Sequence, residues 1–313
     1  ENKMRLVTRS DFDGLVCGAL LKTLGIIDTW TFVHPKDIQD GNFPITKNDV
    51  LANVPYMQGC GMWFDHHSSE LNQIHKAIVP GKCELAPSCA HVIYEYYGGE
   101  KKLPNYKELV AACDKVDSGQ LTAEEIHNPQ GGILLGFIMD PRTGLGRFRD
   151  FKVSNLTLME KLLSECATKT PEQILELPDV KERIECYKEQ TSLFEKMLKT
   201  HTRTEGNVII TDLRNVETIN AGNRFYIYSL YPEQNVSMWI VDGRNKQNVS
   251  IAIGYSILNR TCKSDIGAIC ASYGGGGHRQ VGTCQIDYKD ADKVISKISK
   301  KLNTMRKKKF FFF

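Results

Sequence analysis

The sequence of 313 residues lacks three features that would each define its class. Its apolar runs are short, and none approaches the ~20 residues that a membrane-spanning helix needs. Its net charge is only +3, and its sequence pI of about 8.3 is below the value of ~9 that is typical of dedicated nucleic-acid-binding domains. A secretory pattern, charged and then apolar, is missing from the first residues. We therefore expect a cytoplasmic protein with no membrane partner.

Paired cysteines are also missing. The chain has ten cysteines, but they are scattered and no two of them form a CxxC pair. Structural zinc sites usually contain such pairs, so this spacing disfavours one. We expect the cysteines to be reduced, buried thiols.

The first third of the chain alternates strand and helix patterns. "MRLVTRS", "TWTFVHP", "DVLANVP" and "GCGMWFDHHSS" are typical of strands, and "LVCGALLKTLG" is typical of a helix. This alternation predicts an α/β fold with a parallel sheet and flanking helices. In such sheets, ligands bind outside the carboxyl ends of the strands.

The later part of the chain has a different order of helix and strand patterns. "NLTLMEKLLSECATK" and "TPEQILELPDVKERIECYKEQTSLFEKMLKTHTR" predict charged amphipathic helices, and "VIITDL", "RFYIYSLY", "VSMWIVDG" and "NVSIAIGYS" predict strands before a final amphipathic helix. We predict a metal-binding domain over residues 1–165, a helical linker over 166–205 and a smaller C-terminal α/β domain over 206–303. The basic, Phe-rich tail 304–313 is expected to be disordered.

Acidic and imidazole side chains follow two of the predicted strands. Asp11 and Asp13 are two residues apart after the first strand, so both carboxylates can project to the same side. Asp65, His66 and His67 close the fourth strand. An imidazole combined with carboxylates suits Mn²⁺, Fe²⁺ or Zn²⁺, whereas oxygen ligands alone suit Mg²⁺ or Ca²⁺. The pattern favours a metal site at this edge of the sheet.

Each cluster also has a purely structural interpretation. Asp11 is well placed as a helix N-cap, and His66 or His67 fits a polar loop. A third carboxylate source, "CDKVDSG", contains Asp114 and Asp117, and the second of these fits an Asx turn. Because three such explanations would have to hold together at one sheet edge, the metal hypothesis is preferred.

The motif order resembles the DHH phosphoesterase superfamily with its DHH-associated C-terminal domain. "DFDG", "FDHHSS", a later Asp-Ser, a helical linker and "YGGGGHRQVG" occur in the order of that family, from about residue 4 to residue 300. The detailed residue pattern is most similar to the branch labelled exopolyphosphatase-related. The superfamily also includes RecJ-type exonucleases and nano-RNA phosphodiesterases. The resemblance implies a hydrolase that uses one or two divalent ions, commonly Mn²⁺, with Mg²⁺ or another metal as alternatives.

The resemblance also implies roles for individual residues. The implied metal ligands are Asp11, Asp13, Asp65, His66 and Asp117. His67 is implied to face the scissile phosphate and to act in catalysis together with Asp65, and Asp114 is the reserve for Asp117. The implied substrate-binding residues, at the remote phosphate or terminal nucleotide, are Gly275, Gly276, Gly277, His278 and Arg279.

Two positions depart from the family pattern. Many relatives carry a histidine ligand ahead of the DxD motif, where this chain has Thr8-Arg9-Ser10. Relatives also place an aspartate at the end of the third strand, where this chain has Asn53, which offers a neutral carbonyl but no charge. His34 is a candidate replacement ligand, and Arg142 is a candidate phosphate ligand.

The sequence is compatible with three functions. The first is a metal-dependent phosphodiesterase that acts from one end of short oligonucleotides or on dinucleotides, since a separate phosphate anchor implies a substrate larger than pyrophosphate. The second is an exopolyphosphatase that releases phosphate from polyphosphate. The third is a degenerate nucleotide-binding or regulatory protein without hydrolytic activity. A homodimer is compatible with each of them.

Overall fold

The computed structural model describes residues 3–303, which form two compact units. Within the described residues, the first unit comprises the chain up to Gln120 together with Asn128–Lys188, and the second comprises Leu121–His127 together with the chain from Glu189 onward. No helix in this described part is both long and apolar enough to cross a bilayer. The tail 304–313, for which we predicted disorder, lies outside the described residues.

The elements follow one another along the chain as follows. The strands are β1 Met4–Thr8, β2 Ile27–Phe32, β3 Asp49–Ala52, β4 Met62–Asp65, β5 Gly81–Cys83, β6 Thr202–Glu205, β7 Val208–Asp212, β8 Val236–Asp242, β9 Val249–Tyr255, β10 Gly276–Gly277 and β11 Val281–Ile286. The helices are α1 Phe12–Thr23, α2 Pro35–Gln39, α3 Cys89–Tyr96, α4 Lys107–Ser118, α5 Ala123–His127, α6 Gly131–Met139, α7 Asn155–Glu165, α8 Pro171–Leu175, α9 Pro178–His201, α10 Tyr226–Leu230, α11 Ile266–Ala271 and α12 Ala291–Leu302.

The first unit is built on a five-stranded parallel sheet in the order β2-β1-β3-β4-β5. Leu6, Leu51 and Phe64 on its inner strands are fully buried, as expected for a sheet covered on both faces. Helix α1 runs from the end of β1 and is buried from Phe12 to Leu21. The predicted parallel α/β architecture is therefore confirmed, and it brings the ends of β1, β3 and β4 to one edge.

The second unit contains a six-stranded mixed sheet in the order β10-β11-β9-β8-β7-β6. Strands β7 and β8 are parallel, and the other neighbours are antiparallel. The apolar face of α12 packs into the core of this sheet through Val294, Ile295, Ile298 and Leu302. This confirms the predicted smaller α/β domain with a terminal amphipathic helix.

One predicted strand is wrong. "RFYIYSLY" forms helix α10, and its consecutive residues Phe225, Tyr226, Ile227 and Tyr228 are all buried, which the alternating faces of a strand would not achieve. The Tyr226 ring stacks on His127 at 5.1 Å between centroids. Packing of the aromatic rings on several sides therefore overrides the high strand propensity of the segment.

The segment for which we predicted a helical linker contains α8 and α9 and ends in β6. The division between the two units falls inside α9, between Lys188 and Glu189.

Candidate metal centre

The site lies at the carboxyl ends of three neighbouring strands. Asp11 follows β1, Asn53 follows β3, and Asp65 is the last residue of β4. Since β3 pairs with both β1 and β4 in parallel register, these three residues emerge at the same edge of the sheet. The topology thus explains why motifs that are remote in sequence meet.

Asp13 is fixed by the helix that follows β5. Its Oδ2 accepts a hydrogen bond from Cys89 N at 2.9 Å, and its Oδ1 accepts one from Ala90 N at 2.9 Å, so its carboxylate caps the start of α3. Its residue exposure is 3%, and burial raises the pKa of Asp13, while His66 acts against that rise. Oδ2 of this rigid carboxylate lies 3.5 Å from Nε2 of His66.

The imidazole of His66 presents its Nε2 to the site. Its Nδ1 lies 3.0 Å from the carbonyl oxygen of Ala86, which can only accept, so Nδ1 donates a hydrogen bond to it. Nε2 is the nitrogen that faces the carboxylates, and it lies 3.2 Å from Oδ2 of Asp117. Within residues 3–303 this buried nitrogen has no hydrogen-bond partner.

The donor set fits a divalent cation. Single ligand atoms of Asp13, His66 and Asp117 all lie within 4.8 Å of one another. An imidazole nitrogen that faces two carboxylates, with its other nitrogen bonded to a backbone carbonyl, is the usual arrangement of a metal-ligating histidine. One nitrogen and two carboxylate ligands suit Mn²⁺, Fe²⁺ or Zn²⁺.

Asp65 orients His67. The fully buried Oδ1 of Asp65 accepts from His66 N at 2.9 Å and lies 2.7 Å from Nδ1 of His67. Burial acts to lower the pKa of His67, but the hydrogen bond and charge of Asp65 outweigh it, so the pKa of His67 is raised. The side chain of His67 is 34% exposed. The pair thus holds a partly accessible imidazole that retains its proton to higher pH than usual.

Asp11 acts as the N-cap of α1, as the structural interpretation proposed. Its Oδ1 accepts from Gly14 N at 2.8 Å and from Nδ2 of Asn53 at 3.2 Å. Asn53 is buried and has φ of 60°. Burial raises the pKa of Asp11, and the Gly14 amide acts against that rise. Asn53 therefore donates its amide to Asp11.

Asp114 and Asp117 have different neighbours although both lie on α4. Oδ1 of Asp114 accepts from Ser88 Oγ at 2.7 Å, and Oδ2 lies 2.9 Å from Nδ1 of His91. This cluster links α3 to α4, while Asp117, one turn later, faces His66. Sequence reasoning missed His91, because nothing local connects it to a carboxylate 23 positions away.

Two further candidates have different surroundings. Nδ1 of the exposed His34 accepts from Lys36 N at 3.1 Å and caps α2, and His34 is not part of the carboxylate and imidazole groups found within residues 3–303. Nε of Arg142 donates to Oδ1 of Asp140 at 2.9 Å. Burial acts to lower the pKa of Arg142, but Asp140, Asp11 and Asp117 outweigh it and raise that pKa, so Arg142 stays a candidate phosphate ligand.

Buried thiols surround Asp13, which the sequence did not indicate. Sγ of Cys17 and Sγ of Cys113 lie 3.7 Å and 3.6 Å from Oδ1 of Asp13. Burial raises the pKa of both thiols well above its usual value, so both stay protonated. They therefore act as weak donors to the carboxylate.

The glycine loop lies in the second unit. Gly276 pairs with Thr283, and Gly277 pairs with Gly282 in a short hairpin. A Cβ on Gly275 would lie 2.0 Å from the carbonyl oxygen of Thr283, whereas a Cβ on Gly276 would meet no atom within 4 Å in the described chain.

Two polar residues, His278 and Arg279, come directly after the glycines of this loop. His278 and Arg279 are exposed at the turn of the hairpin. Nη2 of Arg279 donates to the carbonyl oxygen of Lys263 at 2.8 Å. The loop thus presents backbone, an imidazole and a guanidinium at its surface.

Comparison with known proteins adds the following. No family model matches the chain, and no curated protein matches it. Among solved structures, the pGpG-specific phosphodiesterase PggH from Vibrio cholerae is 45% identical with a TM-score of 0.87, covering 96% of this chain and 99% of that one. RecJ of Thermus thermophilus in complex with Mn²⁺ is 14% identical with a TM-score of 0.55, covering 96% of this chain and 52% of that one, and this likeness concerns the fold alone.

Proposed function

This chain belongs to the DHH phosphoesterase superfamily, a group of hydrolases, and from that premise we propose that it is a divalent-metal-dependent phosphodiesterase that cleaves linear dinucleotides. The observation that carries the proposal is the buried Nε2 of His66, which faces the carboxylates of Asp13 and Asp117. Similarity to a pGpG-specific phosphodiesterase over nearly the whole of both chains supports the dinucleotide substrate. The proposal includes the cytoplasmic location expected from the sequence.

Asp13, His66 and Asp117 would hold the metal ion. Asp13 is pinned by two backbone amides and His66 by a backbone carbonyl, so two of the three ligands are preorganised. Bound there, a divalent ion supplies Lewis-acid chemistry, because it activates water and neutralises charge on phosphoryl oxygens. This donor set suits Mn²⁺, Fe²⁺ or Zn²⁺, and the family resemblance favours Mn²⁺ among them.

His67 would donate a proton or a hydrogen bond to the phosphoester. Its Nδ1 is occupied by Asp65 at 2.7 Å, which leaves Nε2 for the substrate. Because Asp65 raises the pKa of His67, the imidazole stays protonated over a wider pH range and can stabilise a phosphoryl oxygen or the leaving oxygen. Asp65 thus sets both the orientation and the charge of His67.

The glycine loop would bind the end of the substrate that is not cleaved, as the family resemblance implies. Gly276 has open space where a side chain would stand, so a phosphate can approach its backbone closely. His278 and Arg279 add exposed donors and charge. This role for residues 275–279 is tested separately below.

The function is tested by following three substrates with one metal series. The purified chain is incubated with pGpG, with a short RNA oligonucleotide and with polyphosphate, each with Mn²⁺, Mg²⁺ or EDTA, and bound metal is measured by elemental analysis. We expect Mn²⁺-dependent release of mononucleotide from pGpG, with the His66→Ala variant inactive. Phosphate release from polyphosphate alone would establish an exopolyphosphatase. Metal-free protein that turns over none of the three substrates would establish a non-hydrolytic role.

A further inference from the structure

Buried polar atoms without partners are concentrated at the site edge of the parallel sheet. Within the described chain, four such atoms lie at the ends of β1 and β4, and two lie elsewhere. They are Oγ1 of Thr8, Nε of Arg9, Oδ2 of Asp65 and Nε2 of His66, and then Oδ1 of Asp242 and Oδ1 of Asn303. Since native proteins pair nearly all buried polar groups, this concentration indicates a place where a ligand supplies the partners.

Arg9 differs in kind from the ligands around it. A guanidinium has donors only and cannot ligate a metal ion, so an N–H group without an acceptor calls for an anion. Among residues 3–303 no acceptor is bonded to the buried Nε of Arg9. The position immediately after β1 thus carries a cation whose buried Nε–H no acceptor of the described chain uses.

The place of Arg9 in the chain puts it at the site edge of the sheet. Arg9 directly follows Thr8, the last residue of β1, and precedes Asp11, the N-cap of α1, by two positions. Its unpartnered Nε therefore lies at the strand end where the candidate ligand residues also emerge.

Asp11 does not accept a hydrogen bond from Nε of Arg9. Its carboxylate accepts hydrogen bonds from Gly14 N and from Nδ2 of Asn53. An internal ion pair with ideal geometry would have used the Nε–H of Arg9, and in the described chain it does not.

We propose that Arg9 binds a phosphate oxygen of the substrate at the end of β1, as the anion-binding counterpart of the metal ligands. The inference rests on the proposed phosphodiesterase function and deepens it by assigning the residue that holds the phosphate. The planar fork of a guanidinium matches two phosphate oxygens, which a lysine cannot reproduce.

The test separates substrate binding from metal binding. Arg9→Met and Arg9→Lys are compared with wild type by steady-state kinetics on pGpG at saturating Mn²⁺, and by calorimetry with 5′-GMP and with Mn²⁺. We expect Arg9→Met to raise KM for pGpG and Kd for 5′-GMP by about ten- to hundredfold, the range of a charge-assisted hydrogen bond. Arg9→Lys is expected to fall in between, and Mn²⁺ affinity is not lowered in either variant.

Arg5→Gln is the matched control. Arg5 lies on the same strand, β1, but pairs with Asp49 at 2.8 Å at the other end of the first sheet. We expect this variant to lower the melting temperature and to leave KM for pGpG and Kd for 5′-GMP unchanged.

Several results would overturn the inference. An unchanged KM and an unchanged Kd for 5′-GMP in Arg9→Met would do so, and so would a loss of Mn²⁺ affinity equal to the loss of substrate affinity. If Arg9→Met does not fold, wild-type KM and Kd in the folded Arg9→Lys protein count equally against it. If wild type does not cleave pGpG, the proposed function fails, and binding of inorganic phosphate in the presence of Mn²⁺, lost or kept in Arg9→Met, still decides the role of Arg9.

Discussion

Nε2 of His66, at the end of β4, lies 3.2 Å from Oδ2 of Asp117, in the last turn of α4. The other ring nitrogen, Nδ1, bonds to the carbonyl oxygen of Ala86, and Oδ2 of Asp13 lies 3.5 Å from the same Nε2. Two carboxylates that converge on one imidazole nitrogen form a site for a cation. A divalent ion ligated by all three groups would therefore stabilise this arrangement.

The first prediction concerns metal binding by His66. His66→Ala removes the nitrogen ligand between Asp13 and Asp117, so we expect Mn²⁺ affinity to fall at least about a hundredfold and phosphodiesterase activity to be lost. Calorimetric titration with Mn²⁺ and elemental analysis measure the first effect, and pGpG cleavage measures the second.

His34→Ala is the control for this prediction. The imidazole of His34 caps α2 by accepting from Lys36 N, so its loss should leave Mn²⁺ affinity and turnover within about twofold of wild type and slightly weaken α2. A His34→Ala variant that lost its metal, or a His66→Ala variant that kept it, would reassign the nitrogen ligand.

The second prediction separates two carboxylates of the same site by their effect on folding. Asp13→Asn offers one oxygen to the amides of Cys89 and Ala90 and leaves the other amide buried without an acceptor. We expect a loss of about 1–3 kcal/mol in the free energy of unfolding even in EDTA. Denaturant unfolding in EDTA measures it.

Asp117→Asn should behave differently. Its side chain is 29% exposed, and a negative charge in the last turn of a helix is disfavoured by the helix dipole. We expect metal-free Asp117→Asn to be as stable as wild type while losing Mn²⁺ affinity. Equal destabilisation of the two variants in EDTA would show that Asp117 also has a structural role.

Local pattern was sufficient to predict the sheet and the edge where the site forms. The parallel order follows from alternating strands and helices, and Asp11, Asp13 and His66 are candidate ligands because they follow predicted strands. Asp13 lies in the first turn of α1, and the structure brings it together with His66 and Asp117. The Asp-Ser pair of the family motif favours Asp117 over Asp114, and Asp117 is the one of the two that faces His66.

Side-chain contacts between residues that are remote in sequence could not be predicted from local patterns. The pairing of Asp114 with His91 and the thiols around Asp13 depend on how α3 and α4 pack. The bond from Asn53 to Asp11 depends on a left-handed backbone after β3 that no local pattern indicates. The strand prediction for "RFYIYSLY" was wrong for the same reason, because the burial of consecutive residues depends on how the unit packs.

The third prediction uses neighbouring glycines to separate substrate binding from folding. Gly276→Ala adds a methyl group where the described chain leaves open space, so the fold should tolerate it. If the loop approaches a phosphate through its backbone, the methyl group obstructs that approach, and we expect KM for pGpG to rise about tenfold with an unchanged melting temperature. Kinetics and thermal unfolding of the same samples test both statements.

Gly275→Ala and Gly254→Ala are the two control variants for this prediction. At Gly275 the new Cβ would lie 2.0 Å from the carbonyl oxygen of Thr283, so we expect a lower melting temperature. At Gly254 on β9 the nearest atom is at 3.5 Å, an ordinary contact, and both stability and KM should stay at wild-type values. An unchanged KM in Gly276→Ala would remove the loop from the binding site.

The last prediction concerns the pH dependence of stability in the second unit. Burial acts to raise the pKa of Asp212, but hydrogen bonds from the side chain and backbone of Arg214 outweigh it, and the pKa is lowered from 3.8. A carboxylate with a lowered pKa stabilises the fold fully above its unfolded pKa and loses that contribution as the pH falls through the folded value.

Asp212→Asn should therefore lower stability at pH 7, by about 1 kcal/mol or less because the pair is partly exposed, and the difference from wild type should vanish near pH 2. Asp292 also contacts Arg214, at 2.8 Å, but its side chain is 89% exposed, so Asp292→Asn should cost less at pH 7. Thermal unfolding at several pH values measures both variants. A loss in Asp212→Asn that persisted undiminished at pH 2 would mean that packing, and not the charge of Asp212, is responsible.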